Sequence, residues 1–129
     1  MIRLLHIGVA VKNLEEALNR FSEIFDLERK EDEIRELGPG RVRLASIPFG
    51  NTRVELVQPI SPEHWVTNVI AERGEGLYHV SLEVDDLDGM LNKLEQIGVK
   101  PIPGAPKSDR VTFVEILNGV KLELVKPRQ

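Results

Sequence analysis

Between Leu4 and Val11 aliphatic residues alternate with small or polar ones, and the same alternation returns between Leu77 and Val84. A period of two is the mark of a half-buried strand. A helical period follows each segment. Leu14, Ala17, Leu18, Phe21 and Ile24 recur at helical spacing behind Asn13, a good N-cap with Glu16 three places on. Leu87, Met90, Leu91, Leu94 and Ile97 do the same behind Asp86. Strand candidates come next in both halves: Arg29 to Glu36, Val42 to Ile47 and Arg53 to Val57, then Lys100 to Ile102, Val111 to Ile116 and Lys121 to Val125. The turn signals Gly38-Pro39-Gly40, Gly50-Asn51 and Asn118-Gly119 separate them.

The order strand, helix, meander occurs twice because the sequence itself repeats. At an offset of 73 residues, His6-Ile-Gly-Val-Ala-Val-Lys-Asn-Leu lies over His79-Val-Ser-Leu-Glu-Val-Asp-Asp-Leu. At a shorter offset, Arg53-Val-Glu-Leu-Val-Gln-Pro59 matches Lys121-Leu-Glu-Leu-Val-Lys-Pro127. The expectation is one domain over 1–129, built from internal repeats of about 1–59 and 77–129. A connector over 60–76 carries Pro62, a short helix ending by Arg73, and Gly74-Glu75-Gly76.

Alternation also sorts each strand into two faces. Ile7, Val9 and Val11 oppose His6, Gly8 and Ala10; Val80, Leu82 and Val84 oppose His79, Ser81 and Glu83. Val54 and Leu56 oppose Glu55, as Leu122 and Leu124 oppose Glu123. If the apolar faces meet the helices, His6, Glu55, His79 and Glu123 share the other face, with Gly8, Ala10 and Ser81 leaving volume beside them. Two imidazoles and two carboxylates at repeat-equivalent positions suit a divalent cation such as Zn, Fe, Co, Ni or Mn. Any one of them alone would ordinarily be a solvated sheet residue.

The chain has 129 residues, a net charge of −4, 41% hydrophobic and 5% aromatic residues, and no cysteine. A chain near 150 residues buries roughly two-thirds of its unfolded surface, so no disulfide staple is needed. Without cysteine there is no thiolate metal site and no cysteine nucleophile. The acidic balance and scarcity of aromatics argue against a nucleic-acid partner. No apolar run approaches the roughly 18 residues of a membrane span, and no signal-peptide pattern opens the chain, so a cytoplasmic location without membrane contact is expected.

These residues resemble the vicinal oxygen chelate superfamily, which includes glyoxalase I, extradiol dioxygenases, bleomycin-resistance-type binding proteins and methylmalonyl-CoA epimerases. The resemblance is greatest to the epimerase family. It is carried by His6-Ile-Gly-Val-Ala-Val-Lys-Asn-Leu-Glu-Glu-Ala, by Gly50-Asn-Thr-Arg-Val-Glu-Leu-Val-Gln-Pro59, and by Glu72-Arg-Gly-Glu-Gly-Leu-Tyr-His-Val-Ser-Leu-Glu-Val-Asp-Asp86. It implies an α+β fold of two tandem βαβββ modules forming a cupped mixed sheet, helices on the outer face, and a homodimer. It further implies a divalent metal ion (Co, Mn, Ni, Zn or Fe) on His6, Glu55, His79 and Glu123. The implied activity is proton transfer α to a thioester, with Glu123 in an acid or base role and an acyl-CoA as the small-molecule substrate.

Three departures mark this chain. Tyr78 stands where epimerases have the first of two histidines. The stretch Pro106 to Gly119 lacks their glycine-rich loop and His-Pro-Lys segment, which bears on acyl-CoA recognition. Val42-Arg43-Leu44-Ala45 stands where some epimerases place a glutamate base. Glu115 and Arg43 are secondary candidates, for proton transfer and for binding a carboxylate or phosphate. Rival readings are a glyoxalase I-type lactoylglutathione lyase and a metal-free module binding a small apolar molecule beside Trp65, Tyr78 and Phe113.

Overall fold

A computed structural model of the chain describes residues 1–27, 33–37 and 39–128. In chain order the elements are β1 (Ile2–Ala10), α1 (Leu14–Phe25), β2 (Glu33–Glu36), β3 (Arg41–Phe49), β4 (Thr52–Pro59), α2 (Trp65–Arg73), β5 (Gly76–Val84), α3 (Leu87–Gln96), β6 (Val111–Leu117) and β7 (Val120–Val125). Among the described residues no helix is long and apolar enough to cross a membrane.

Among the described residues one sheet holds seven strands in the order β2-β3-β4-β1-β5-β7-β6. β1 runs parallel to β4 and β5 parallel to β7, while the other neighbours are antiparallel. The opening strands of the two repeats therefore lie side by side at the centre. Each carries the closing strand of its own repeat on its outer flank, so the mixed α+β sheet has the two-module plan that the repeat predicts.

The outer face is apolar where alternation places it. Val9, Val11, Val54 and Leu56 pack with Ala45 and Ile47 against Leu14, Leu18 and Phe21 of α1. Leu82, Val84, Leu122 and Leu124 pack against Leu87, Met90, Leu91 and Leu94 of α3. Each fully buried leucine contributes about 1.5–3 kcal/mol relative to an exposed one. Asn13 caps α1 by accepting from the Glu16 amide at 3.0 Å, and Asp86 caps α3 by accepting from Gly89 at 3.0 Å.

The structure differs from the sequence pattern in three places. α2 lies on the inner face, where Trp65, Val66 and Val69 join Ala10, Val42, Leu44, Val57, Tyr78 and Phe113 in a separate core. So α1 and α3 are outer helices and the connector helix is not. Lys100 to Ile102 forms no strand: only Pro101 bridges, to Val114. Pro101 and Pro103 have no N–H to give a ladder, which limits that edge to a single bridge. Of the candidate strand Arg29 to Glu36, the portion Glu33–Glu36 is β2; Arg29 to Asp32 lie outside the described residues.

The third difference shapes the centre. Pairing of β1 with β5 slips twice, from Leu4↔Leu82 to His6↔Ser81 and from Gly8↔His79 to Val9↔Leu77. Leu5 and Tyr78 are thus the extra residues of two β-bulges. They are equivalent under the 73-residue offset that relates His6 to His79. Each bulge turns the residue before a histidine toward the same side as that histidine: Tyr78 lines the inner cavity beside His79, and Leu5 lines the adjoining cleft with His6.

Candidate metal centre

Register alone brings the four predicted residues together. Gly8 pairs with Glu55 on β4 and with His79 on β5. Its repeat counterpart Ser81 pairs with His6 on β1 and with Glu123 on β7. Two small residues thus sit between the larger ones and let their ends converge over the central strands. His6 Nε2 is 3.0 Å from His79 Nε2, 3.3 Å from Glu123 Oε1 and 3.4 Å from Glu55 Oε1. His79 Nε2 is 3.6 Å from Glu123 Oε1. One ligand atom from each of His6, His79 and Glu123 falls within a 4.8 Å group; Glu55 touches His6 but stands outside it.

The histidines are nearly closed off from solvent, with side chains 8% and 3% exposed for His6 and His79. Burial by itself would push the Glu123 carboxyl up. The His6 and His79 rings beside it outweigh that and hold it well below the usual carboxylate range. Tyr78 responds the other way: burial, then the charges of Glu123 and Glu55, push its phenol up, so it stays neutral.

Two spaces adjoin the centre. A cavity of about 340 Å³ is walled by Val57, Trp65, Tyr78, Val111 and Phe113, with Pro106, Lys107 and Ser108 also in its lining. A wider cleft of about 800 Å³ reaches His6, Glu55 and Glu123 past Arg53, Arg110 and Lys126. The three aromatic rings are therefore core and wall at once: Trp65 lies edge-on to Tyr78 and Phe113 at 5.5 and 5.1 Å, and His79 lies 4.4 Å from Tyr78.

The secondary candidates are elsewhere. Glu115 is an exposed residue that pairs with Lys121 at 3.3 Å, away from the centre. Arg43 occupies the outer-face register of Ala45 and Ile47. Conversely, two residues that sequence reasoning passed over belong to the site. Arg53 donates from Nε to Glu55 Oε2 at 3.2 Å and meets His6 Nδ1 through Nη2 at 3.3 Å. Its place on the Glu55 face, two residues earlier in the same strand, was the available signal. His64 caps α2 by accepting from the Val66 amide and donates from Nε2 to the Leu37 carbonyl at 2.7 Å. Burial lowers its pKa against the raising influence of that carbonyl, so it stands as a neutral wall residue.

The donor set fits a divalent cation. Donors sharing one ion at bonds of roughly 2.0–2.2 Å stand about 3 Å apart at right angles, close to the separations here. Among the described residues Glu123 Oε1 is buried with no hydrogen-bond partner, although imidazole nitrogens lie beside it. An ionised oxygen left in that state is costly unless a cation or donor meets it. His79, His6 and Glu123 are the residues that would hold such an ion, with Glu55 at its edge.

The chain is similar to known proteins along most of its length. A mitochondrial methylmalonyl-CoA epimerase from Dictyostelium discoideum is 27% identical over 95% of this chain and 76% of its own length. The Bacillus subtilis protein YqjC, itself uncharacterized, is 27% identical over 99% of this chain and 94% of its own. Among solved structures, a variant of Streptomyces coelicolor methylmalonyl-CoA epimerase in complex with 2-nitronate-propionyl-CoA superposes with a TM-score of 0.73 at 25% identity, covering 96% of this chain and 93% of that one. The family model for the Glyoxalase/Bleomycin resistance protein/Dioxygenase superfamily matches residues 5–114, from β1 into β6 and across both histidines, and the chain belongs to that superfamily.

Proposed function

We propose that this protein catalyses proton transfer at a carbon α to a thioester, in the manner of a methylmalonyl-CoA epimerase, with a divalent cation held by His6, His79 and Glu123. The observation that carries the reading is the convergence of those three ligand atoms, with Glu55 beside them, in a superfamily whose similar members include such epimerases. Two nitrogens and a carboxylate oxygen suit Co, Mn, Ni, Zn or Fe. When bound, the cation supplies a Lewis acid toward the thioester oxygen, stabilising the negative charge that builds as the α-proton leaves.

The two carboxylates take different parts. Glu123 Oε1 is buried inside the tight group and finds no hydrogen-bond partner among the described residues, which suits holding a cation. The resemblance to epimerases gives Glu123 the proton-transfer role, and we assign it first to the cation. Glu55 lies outside the tight group and is partly exposed, so it is the carboxylate placed to exchange a proton with substrate and solvent. Glu55 reaches in from β4 and Glu123 from β7, on opposite flanks of the β1–β5 pair. Inversion needs an acid and a base addressing opposite faces of the carbon. Among the inner-facing residues of β3, Val42 and Leu44 are buried and apolar and offer no proton carrier.

The acyl group belongs in the 340 Å³ cavity, and the longer thiol portion in the wide cleft, where Arg53, Arg110 and Lys126 oppose phosphate charge. A homodimer is part of the proposal on family likeness alone. The test is to incubate the Co²⁺-loaded protein with methylmalonyl-CoA in D₂O and follow the α-proton by NMR. The expected result is deuterium at the α-carbon, slowed by about 10²-fold or more in Glu55→Gln, the span of a general acid–base contribution. Exchange no faster than in protein-free buffer would overturn the proposal.

A further inference from the structure

The outer nitrogens of the two histidines are partnered in an unexpected way. A guanidinium has five N–H donors and no acceptor, so the 3.3 Å contact between Arg53 Nη2 and His6 Nδ1 has one direction only: Arg53 donates and Nδ1 accepts. A neutral imidazole whose Nδ1 accepts carries its proton on Nε2. Yet Nε2 is the atom that faces His79 Nε2 at 3.0 Å, Glu123 Oε1 at 3.3 Å and Glu55 Oε1 at 3.4 Å. In this arrangement the inner nitrogen of His6 is a donor, and its lone pair is not offered to a cation. If His79 Nε2 accepts, its own proton sits on Nδ1, and that atom is buried with no hydrogen-bond partner among the described residues.

Ligating histidines ordinarily donate their outer N–H to a carboxylate or carbonyl, which fixes the tautomer that presents the inner lone pair. Here the outer position is reversed at His6 and empty at His79. We infer that Arg53 is a tautomer latch on the centre: it holds His6 in the Nε2–H form, and a cation binds only when the guanidinium leaves Nδ1. The inference rests on the cation-centre reading above. In the exchange His6 gives up the Nε2 proton to solvent and takes one from solvent at Nδ1, so its net protonation is unchanged. Release is structurally simple, because the Arg53 side chain is 42% exposed and can stay bonded to Glu55 through Nε. As a positioning residue, Arg53 sets how readily His6 is available and leaves the number of ligands untouched.

The test compares wild type with Arg53→Gln and Arg53→Met. Glutamine offers a carbonyl that can accept from Nδ1–H, and methionine removes the donor without replacing it. Co²⁺ affinity is read by calorimetric titration, and the His6 tautomer of the cation-free proteins by long-range ¹H–¹⁵N correlation. The expected result is the Nε2–H form of His6 in wild type, its loss in both variants, and Co²⁺ binding tightened about tenfold or more in Arg53→Gln, within the 10–100-fold range over which outer-shell partners act. The tautomer readout separates the latch from mere removal of a nearby positive charge, which would tighten binding without moving the proton. An Nδ1–H His6 in the wild type, or affinities in both variants within twofold of wild type, would overturn the latch. A control with His79→Ala keeps the two readings apart: stoichiometric Co²⁺ in wild type and none in the control leaves the centre standing whatever Arg53 does, whereas no Co²⁺ in any protein removes both.

Discussion

A His79→Ala variant is expected to lose Co²⁺ binding by more than the roughly 100-fold that outer-shell changes cost, while remaining folded. His79 supplies one of only three atoms in the tight group, and its Nε2 is the closest neighbour of His6 Nε2. Its removal also takes away a buried polar ring whose Nδ1 has no partner, so the stability lost with its packing is offset by relief of an unsatisfied group. Calorimetric titration with Co²⁺ gives the affinity, and urea unfolding with an unchanged m-value shows that the fold persists. Undiminished Co²⁺ binding in a folded His79→Ala protein would remove His79 from the ligand set.

Gly8→Ala should produce the same loss without touching a ligand. A methyl group on Gly8 would overlap the His79 imidazole at Cε1, Nδ1 and Nε2, and Gly8 sits in register between His79 and Glu55 on a buried central strand. Neither backbone can move without disturbing the β1–β5 pair, so the ring must turn out of the centre. Overpacking of this kind costs about 1–3 kcal/mol, which urea unfolding detects. The three atoms nearest the added methyl group all belong to the His79 ring, so the penalty should be largely absent when Gly8→Ala is combined with His79→Ala. Residues in direct contact show such non-additivity, whereas additive losses in the double variant would mean that the methyl group acts elsewhere.

The placement of the site was legible because it depends on two regularities that sequence displays directly. Alternation assigned His6, Glu55, His79 and Glu123 to one face, and the repeat related them in pairs; register then brings them within contact. What escaped reading depends on contacts made only in three dimensions. The bulges at Leu5 and Tyr78 are slips in pairing between strands far apart in sequence, and nothing local marks them. They explain how Tyr78 can line the cavity next to His79, which simple alternation forbids.

The inner position of α2 was hidden for a related reason. Trp65, Val66 and Val69 make a short apolar face, but whether that face meets the outer or inner side of the sheet is settled by where Val42, Leu44 and Val57 leave room. Lys100 to Ile102 has the aliphatic character of a strand, yet the prolines on either side of Ile102 restrict it to one bridge. His64 gave no repeat-equivalent partner to draw attention to it, and its role appears only through the Leu37 carbonyl 2.7 Å away. Arg53 was visible on the face of Glu55 by alternation; that its guanidinium also reaches His6 depends on the parallel pairing of β1 with β4, where His6 and Arg53 are register partners.

Whether these inner-face residues build a cation site is decided by locating the ion. Crystals of the wild-type protein grown with Co²⁺ and measured on both sides of the cobalt absorption edge should give one anomalous peak per chain, bonded to His6 Nε2, His79 Nε2 and a Glu123 carboxylate oxygen, with Arg53 withdrawn from His6 Nδ1. Crystals whose inner cavity shows no anomalous peak, or whose cobalt sits only on surface carboxylates, would contradict such a site.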